Sequence, residues 1–226
     1  MNVFNAPSTV KRKTFRAKPM AKFQWNGYST VRIEISVGRH YHEEARLAET
    51  IDWARNHFSK TVILLGDTLQ RYNLMMDGLP AEEAYTKSLA DGNEWLERNA
   101  GYISGLDVLR WDEITEHSDF LQARNMVSSL YGENPLVTQE VNKAIEEVAQ
   151  RREISKDQEK IFYKLSENYL LEEIAGAAIA NIMHPGVSAY PGALPGLWDV
   201  VNDIPAHTLP PGLSDARSIE LKIYKK

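Results

Sequence analysis

The chain has 226 residues, 43% of them apolar, and a formal net charge of −5. That is enough apolar matter for one sizeable core and little for two independent ones. The absence of cysteine excludes a disulfide framework and thiolate-held zinc or iron, and the six histidines show no HxxxH or HExxH spacing, so no metal is expected. No apolar run approaches the roughly 18 residues of a membrane span, and no apolar stretch backs the basic N-terminus as in an export signal. A soluble cytoplasmic protein with no membrane partner is the expectation.

In chain order, residues 1–28 carry Pro7, Pro19 and Gly27 with little periodicity and read as an irregular arm, leading into one domain over 29–226. The arm is basic. Residues 1–33 hold Lys11, Arg12, Lys13, Arg16, Lys18, Lys22 and Arg32 and no acid, so the rest of the chain carries −12. Such an arm suits a polyanion held by phosphate contacts and counterion release, or else is a solvated tail.

Residues 29–36 alternate as a strand, with Val31, Ile33 and Ile35 on one face and Arg32, Glu34 and Ser36 on the other. Ser36-Val37-Gly38 ends it, and Leu47, Ile51, Ala54 and Phe58 recur at helical spacing. A second apolar strand over 61–66 completes a βαβ unit, which implies a parallel sheet with a right-handed crossover. Residues 80–100 read as a helix and 106–111 as a third strand. Residues 117–131, 136–152 and 156–183 are helical by period, with Pro135 between the first two. His184-Pro185-Gly186 stops the last helix, a loop rich in Pro and Gly follows, and 218–224 reads as a late edge strand. The fold class is α/β: a single Rossmann-like domain, with a mostly parallel central sheet flanked by helices.

Three places carry chemistry. Ser36 sits where a parallel strand ends, before a glycine and a helix. Ligands bind at that edge of open α/β sheets, and turn amides there can stabilise an oxyanion. A helix N-cap is the plainer reading, and the Gly-x-Ser-x-Gly pattern is incomplete because Glu34 stands two before the serine. Tyr169 and Glu173 lie four apart and share one helix face, where a carboxylate beside a phenol suits an α-ammonium group; an ordinary solvated face is the alternative. Beneath them, Ala175-Gly176-Ala177-Ala178 permits close packing. Tyr190, in the loop before Pro191, is pushed toward extended backbone and can present its hydroxyl, or can simply cover the core. A serine nucleophile, an ammonium-binding pair and a positioned hydroxyl are together the parts that aminoacyl transfer needs.

With those parts in view, Ile35-Ser36-Val37-Gly38-Arg39-His40-Tyr41, followed by Ile51-Asp52-Trp53, resembles the nucleophile region of the tRNA-dependent cyclodipeptide synthases. The run 169–173 resembles their Tyr-x-x-x-Glu motif. Ala189-Tyr190-Pro191 is similar to the x-Tyr-Pro signature of one subfamily, with Arg39 as the non-asparagine residue three after the serine. The resemblance spans about residues 29–200 and rests on joint spacing. It implies a Rossmann-like monomer, similar to class I tyrosyl- and tryptophanyl-tRNA synthetase catalytic domains but without ATP chemistry. It also implies two aminoacyl-tRNAs used in turn, and no cofactor or metal. By the same resemblance Ser36 takes the first aminoacyl group, Tyr169 and Glu173 hold its amine, and Tyr190 relays a proton during ring closure. Gly38, Arg39 and Pro191 border the substrate.

The family's arginine-rich helix after the second strand has no counterpart here. Residues 81–100 are acid-rich, with Lys87 and Arg98 the only bases, so either tRNA docks differently in this subfamily or, the favoured reading, the arm makes the contacts through Lys11, Arg12, Lys13, Arg16, Lys18 and Lys22. Arg32 and Glu34 face the same side as Ser36, where the family lines the pocket for the first side chain. Two charges there disfavour an apolar substrate and favour a polar or ionisable one, histidine among them, unless they pair with each other at a solvated edge. A serine hydrolase using Ser36 with His184 or His207 as base, and a non-catalytic tRNA-binding module, are the competing readings.

Overall fold

The computed structural model describes residues 15–21, 23–192 and 204–225. Strand β1 (Phe15–Met20) precedes β2 (Thr30–Ile35), helix α1 (Glu44–His57) and β3 (Lys60–Leu65). Helices α2 (Arg71–Met76) and α3 (Ala81–Ile103) lead to β4 (Asp107–Arg110). The run α4 (Trp111–Thr115), α5 (Phe120–Glu133), α6 (Pro135–Arg152) and α7 (Lys156–Met183) then leads to β5 (Val187–Tyr190) and β6 (Arg217–Lys225). The sheet has the order β1-β6-β5-β2-β3-β4, parallel throughout except where β1 runs antiparallel to β6.

Two cores sandwich this sheet. Val31, Ile33, Ile35, Ile63 and Leu65 pack on α1 and α3, chiefly through Leu47, Ile51 and Trp95. Val62, Leu64 and Leu109 pack on the opposite side against α4 to α7. A central strand covered on both faces must spend its second face as well, so in β2 even Arg32 is buried. The helix over 156–183 is as expected. Pro135 starts α6 at its first turn, where its missing N–H costs nothing, and the Asn134 side chain accepts from the amides of Leu136 and Val137 at 3.0 and 3.3 Å.

Three expectations are corrected. The arm is not irregular at Phe15–Met20, which forms the sheet's edge strand, where Pro19 needs no ladder donor. β6 is consequently interior rather than the edge. Tyr190 ends a strand rather than sitting in a loop; β5 has only four residues, too few for a period to show. Lys11, Arg12, Lys13 and Lys22 lie outside the described residues.

Candidate active site

From β2, the chain runs to β3 and β4 on one side, while β5 and β6 lie on the other. The carboxyl end of β2 is therefore the topological switch point, where the flanking connections diverge and leave a crevice. Ser36 is the residue after β2, and Tyr190 closes β5 beside it, in the register that pairs Arg32 with Ser188 and Ile33 with Ala189. Gly38 turns the chain away at φ +83°, a conformation that a side chain disfavours. The Ser36 Oγ lies 3.4 Å from the Tyr190 hydroxyl, which in turn lies 3.1 Å from that of Tyr41. Burial, above all, pushes the Tyr190 pKa up, so the phenol stays protonated and can hand on a hydrogen bond.

Helix α7 passes over this edge on the Arg32–Glu34–Ser36 side of the sheet. Its rotation is locked by Glu172, which accepts from Arg71 Nη2 at 2.6 and 2.8 Å, the Tyr72 hydroxyl at 2.7 Å and Trp111 Nε1 at 2.9 Å. Gly176 lets the Trp111 ring lie on the helix where a Cβ would collide with it, which is the close packing expected of the small-residue run. So held, α7 turns Tyr169 and Glu173 toward the sheet. Glu173 has no hydrogen bond or ion pair among the described residues. It is half-buried in a recess, and burial, then the charge of Glu34, raises its pKa to about 8. Burial and then Glu173 push Tyr169 well up, while a hydrogen bond from Gln70 and the charge of Arg39 oppose the shift. The carboxyls of Glu34, from the strand, and Glu173, from the helix, are thus electrostatic neighbours, with Tyr169 and Tyr190 beside Glu173 and Ser36 against Tyr190.

No protein-family model matches the chain, and no curated protein matches it either. Solved structures do. A cyclodipeptide synthase from Fluoribacter dumoffii superposes with a TM-score of 0.81 at 20% identity, covering 94% of this chain and 100% of that one. A Mycobacterium tuberculosis protein, whose structure relates cyclodipeptide synthetases to type I tRNA synthetases, gives 0.71 at 12% identity over 94% and 95%. A cyclodipeptide synthase from Candidatus Glomeribacter gigasporarum, bound to Phe-tRNAPhe, gives 0.65 at 17% identity over 87% and 89%. The chain has the cyclodipeptide synthase fold.

Within that fold the remaining expected site residues divide. Glu34 faces the recess and hydrogen-bonds Ser188; burial raises its pKa against the pull of Ser188 and Arg32. Arg39 is exposed at the rim, and Pro191 is buried just past Tyr190. Arg32 is different: it is 1% exposed. Its guanidinium donates to Asn181 Oδ1 at 2.9 Å, Ser188 Oγ at 3.2 Å, and the carbonyls of His184 and Gly186. It closes the C-terminus of α7, where the helix dipole favours a cation. Burial lowers its pKa to about 10, which still leaves it charged at neutral pH, and no direct ion pair joins it to Glu34 among the described residues.

Neither His184 nor His207, the bases considered for a hydrolase, is at the nucleophile. His184 belongs to the opposite edge of the sheet: its neighbour Gly186 abuts Thr30 at the start of β2, and its electrostatic partners Lys60 and Asp107 begin β3 and β4. His207 is exposed in a short 3-10 turn. Among the described residues only Tyr190 contacts the Ser36 hydroxyl. Tyr41, His42 and Gln70 join the site without having been singled out from sequence. Gln70 follows the carboxyl end of β3, the same edge rule that locates Ser36, and Tyr41 and His42 lie in the run of aromatic and basic residues after Gly38.

Proposed function

We propose that the chain is a cyclodipeptide synthase, an aminoacyltransferase that builds a 2,5-diketopiperazine from two aminoacyl-tRNAs in the cytoplasm, where these substrates are made, and acts as a monomer of the x-Tyr-Pro subfamily. The observation that carries this reading is the Glu173 carboxyl, without a hydrogen-bond or ion-pair partner among the described residues, near the Tyr190 phenol, whose hydroxyl lies 3.4 Å from that of Ser36, in a fold shared with these enzymes. An anion in a low-dielectric recess with no partner is costly, and a bound α-ammonium group removes the cost.

The steps follow from the groups present. Ser36 Oγ attacks the ester carbonyl of the first aminoacyl-tRNA and expels the tRNA 3′-terminal ribose oxygen, which takes up the hydroxyl proton by way of the phenols Tyr190 and Tyr41. Glu173 and Tyr169 hold the aminoacyl amine. The amine gives up its ammonium proton to Glu173 and attacks the second aminoacyl-tRNA ester, expelling that tRNA's ribose oxygen, which takes up the proton the amine loses on forming the amide, and leaving a dipeptidyl-serine. The new terminal amine attacks the serine ester, the amide ring closes, and Ser36 regains its proton through Tyr190. Each bond made replaces an ester of similar or higher energy, so the tRNA esters supply the driving force.

For the first substrate, Glu34 lining the recess favours a polar or ionisable side chain that donates hydrogen bonds to a carboxyl, with histidine the leading candidate. Arg32 supports α7 instead of touching substrate. For tRNA, Arg16 and Lys18 are exposed on one face of β1, and Lys222 stands opposite Lys18 in register, so the described part of the arm presents cations on that face; Lys11, Arg12, Lys13 and Lys22 extend the same assignment. Expression in bacteria followed by mass spectrometry of the medium tests the function. A diketopiperazine absent from cells expressing Ser36→Ala supports it, and identical media refute it.

A further inference from the structure

His42 is fully buried, and its imidazole does not touch the Ser36 hydroxyl; it grips the backbone of that residue. Nδ1 lies 2.7 Å from the Ser36 amide nitrogen and 3.0 Å from the Ser36 carbonyl oxygen. One nitrogen cannot serve both. The amide N–H is an obligate donor with no other acceptor among the described residues, whereas the carbonyl already accepts from the Arg39 amide at 3.3 Å. Nδ1 is therefore the acceptor, which puts the ring proton on Nε2, a buried atom with no hydrogen-bond partner. A fold that keeps a buried N–H unsatisfied holds the ring there for what its other nitrogen does.

The surroundings fix the ring on every side. Tyr41 and Tyr190 meet it edge to face, with centroids 4.6 and 5.4 Å away; Tyr190 contacts the Ser36 hydroxyl and Tyr41 contacts that of Tyr190. The His42 carbonyl accepts from Trp95 Nε1 at 3.1 Å, and its amide donates to the Arg39 carbonyl at 2.9 Å. The loop 36–42 is thus closed on itself by one side chain and anchored to α3 by another. Burial, with the charges of Arg39 and His40 adding to it, lowers the His42 pKa to about 4, consistent with a neutral ring.

We propose that His42 is a positioning residue for the nucleophile: as a neutral Nε2–H tautomer it accepts the Ser36 amide proton and holds the serine turn against Tyr190. One consequence concerns the oxyanion. The Ser36 amide is occupied, so the donor for a developing oxyanion is the next amide, that of Val37, which has no hydrogen-bond partner among the described residues.

The rate arm of the test rests on the acyl-transfer reading; the spectroscopic arm does not. Single-turnover acylation of Ser36 by charged tRNA is followed by intact mass for the wild type, His42→Phe and His42→Asn, with a urea melt for each. Asparagine offers an acceptor near the place of Nδ1, and phenylalanine offers only bulk. His42→Phe is expected to lower the acylation rate at saturating aminoacyl-tRNA about 10- to 100-fold with little change in half-saturation, and His42→Asn to recover most of that loss. Equal loss in the two variants, or no loss in His42→Phe, overturns the proposal. A wild type that never acylates refutes the enzymatic reading instead. Should His42→Phe not fold, nitrogen-15 spectra of histidine-labelled wild type decide the point: a hydrogen-bonded, unprotonated Nδ1 supports the proposal and a protonated Nδ1 overturns it.

Discussion

Glu173→Gln is expected to stabilise the protein near neutral pH while removing its activity, which separates a carboxyl kept for a ligand from one kept for the fold. Burial, followed by the charge of Glu34, raises the Glu173 pKa from 4.5 to about 8. The unfolded chain loses this proton near 4.5 and the folded chain keeps it to about 8, so between those values the native state binds the extra proton and stability falls as pH rises. At about 1.36 kcal/mol per pH unit, the loss accumulated by pH 7 is about 3.4 kcal/mol. Partial solvent access screens it, leaving about 1–3 kcal/mol. Glutamine has no proton to lose and relieves Glu34 of its neighbour. Urea denaturation of both proteins at pH 4.5, 7 and 8.5 reads the difference. It should be near zero at pH 4.5, favour the variant by about 1–3 kcal/mol at pH 7, and level off above pH 8. Parallel stabilities across the window would refute the placement of two facing carboxyls in one recess.

Arg32→Met takes the guanidinium donor from the His184 carbonyl and Ser188 Oγ and leaves Asn181 Oδ1 with the Gly186 amide alone, and should cost about 2–4 kcal/mol in the same assay; a loss below 0.5 kcal/mol would contradict its role in holding α7. Replacing Arg16 and Lys18 together by Glu should weaken tRNA binding and reduce the slope of log affinity against log salt by about 1.4–1.8, measured by filter binding. An unchanged slope would detach β1 from the RNA. Tyr190→Phe should slow both the acylation of Ser36 and cyclisation by about 10²–10⁴-fold, read by intact mass and by product formation. Normal product formation would remove the relay.

Much of the site was legible because its signals are local. Helix α7 runs for 28 residues, long enough for its period to be read, and an i, i+4 spacing puts Tyr169 and Glu173 on one face. Ser36 was found from an alternation cut short by Gly38 and from the rule that parallel sheets bind ligands at their carboxyl edge. The parts that were missed depend on contacts distant in sequence. β1 is a strand because Arg217–Lys225 lies beside it, and nothing within residues 15–20 announces that partner. Arg32 looked like a pocket charge because its acceptors, at residues 181–188, come together with it only once β5 docks on β2. The β5 strand holding Tyr190 has only four residues, too few for an alternation to stand out. His42 is close to Ser36 in sequence, but its role depends on the loop folding back, which residue types alone do not encode.

The central claim is that the Ser36 hydroxyl carries an aminoacyl group. Intact-mass spectrometry of the protein quenched seconds after mixing with a full set of charged tRNAs tests it directly. A mass increase equal to one aminoacyl residue, mapped to the peptide containing Ser36 and missing in Ser36→Ala, is predicted. Turnover of the tRNA esters with no adduct on the wild type, or an adduct that persists in Ser36→Ala, would contradict it.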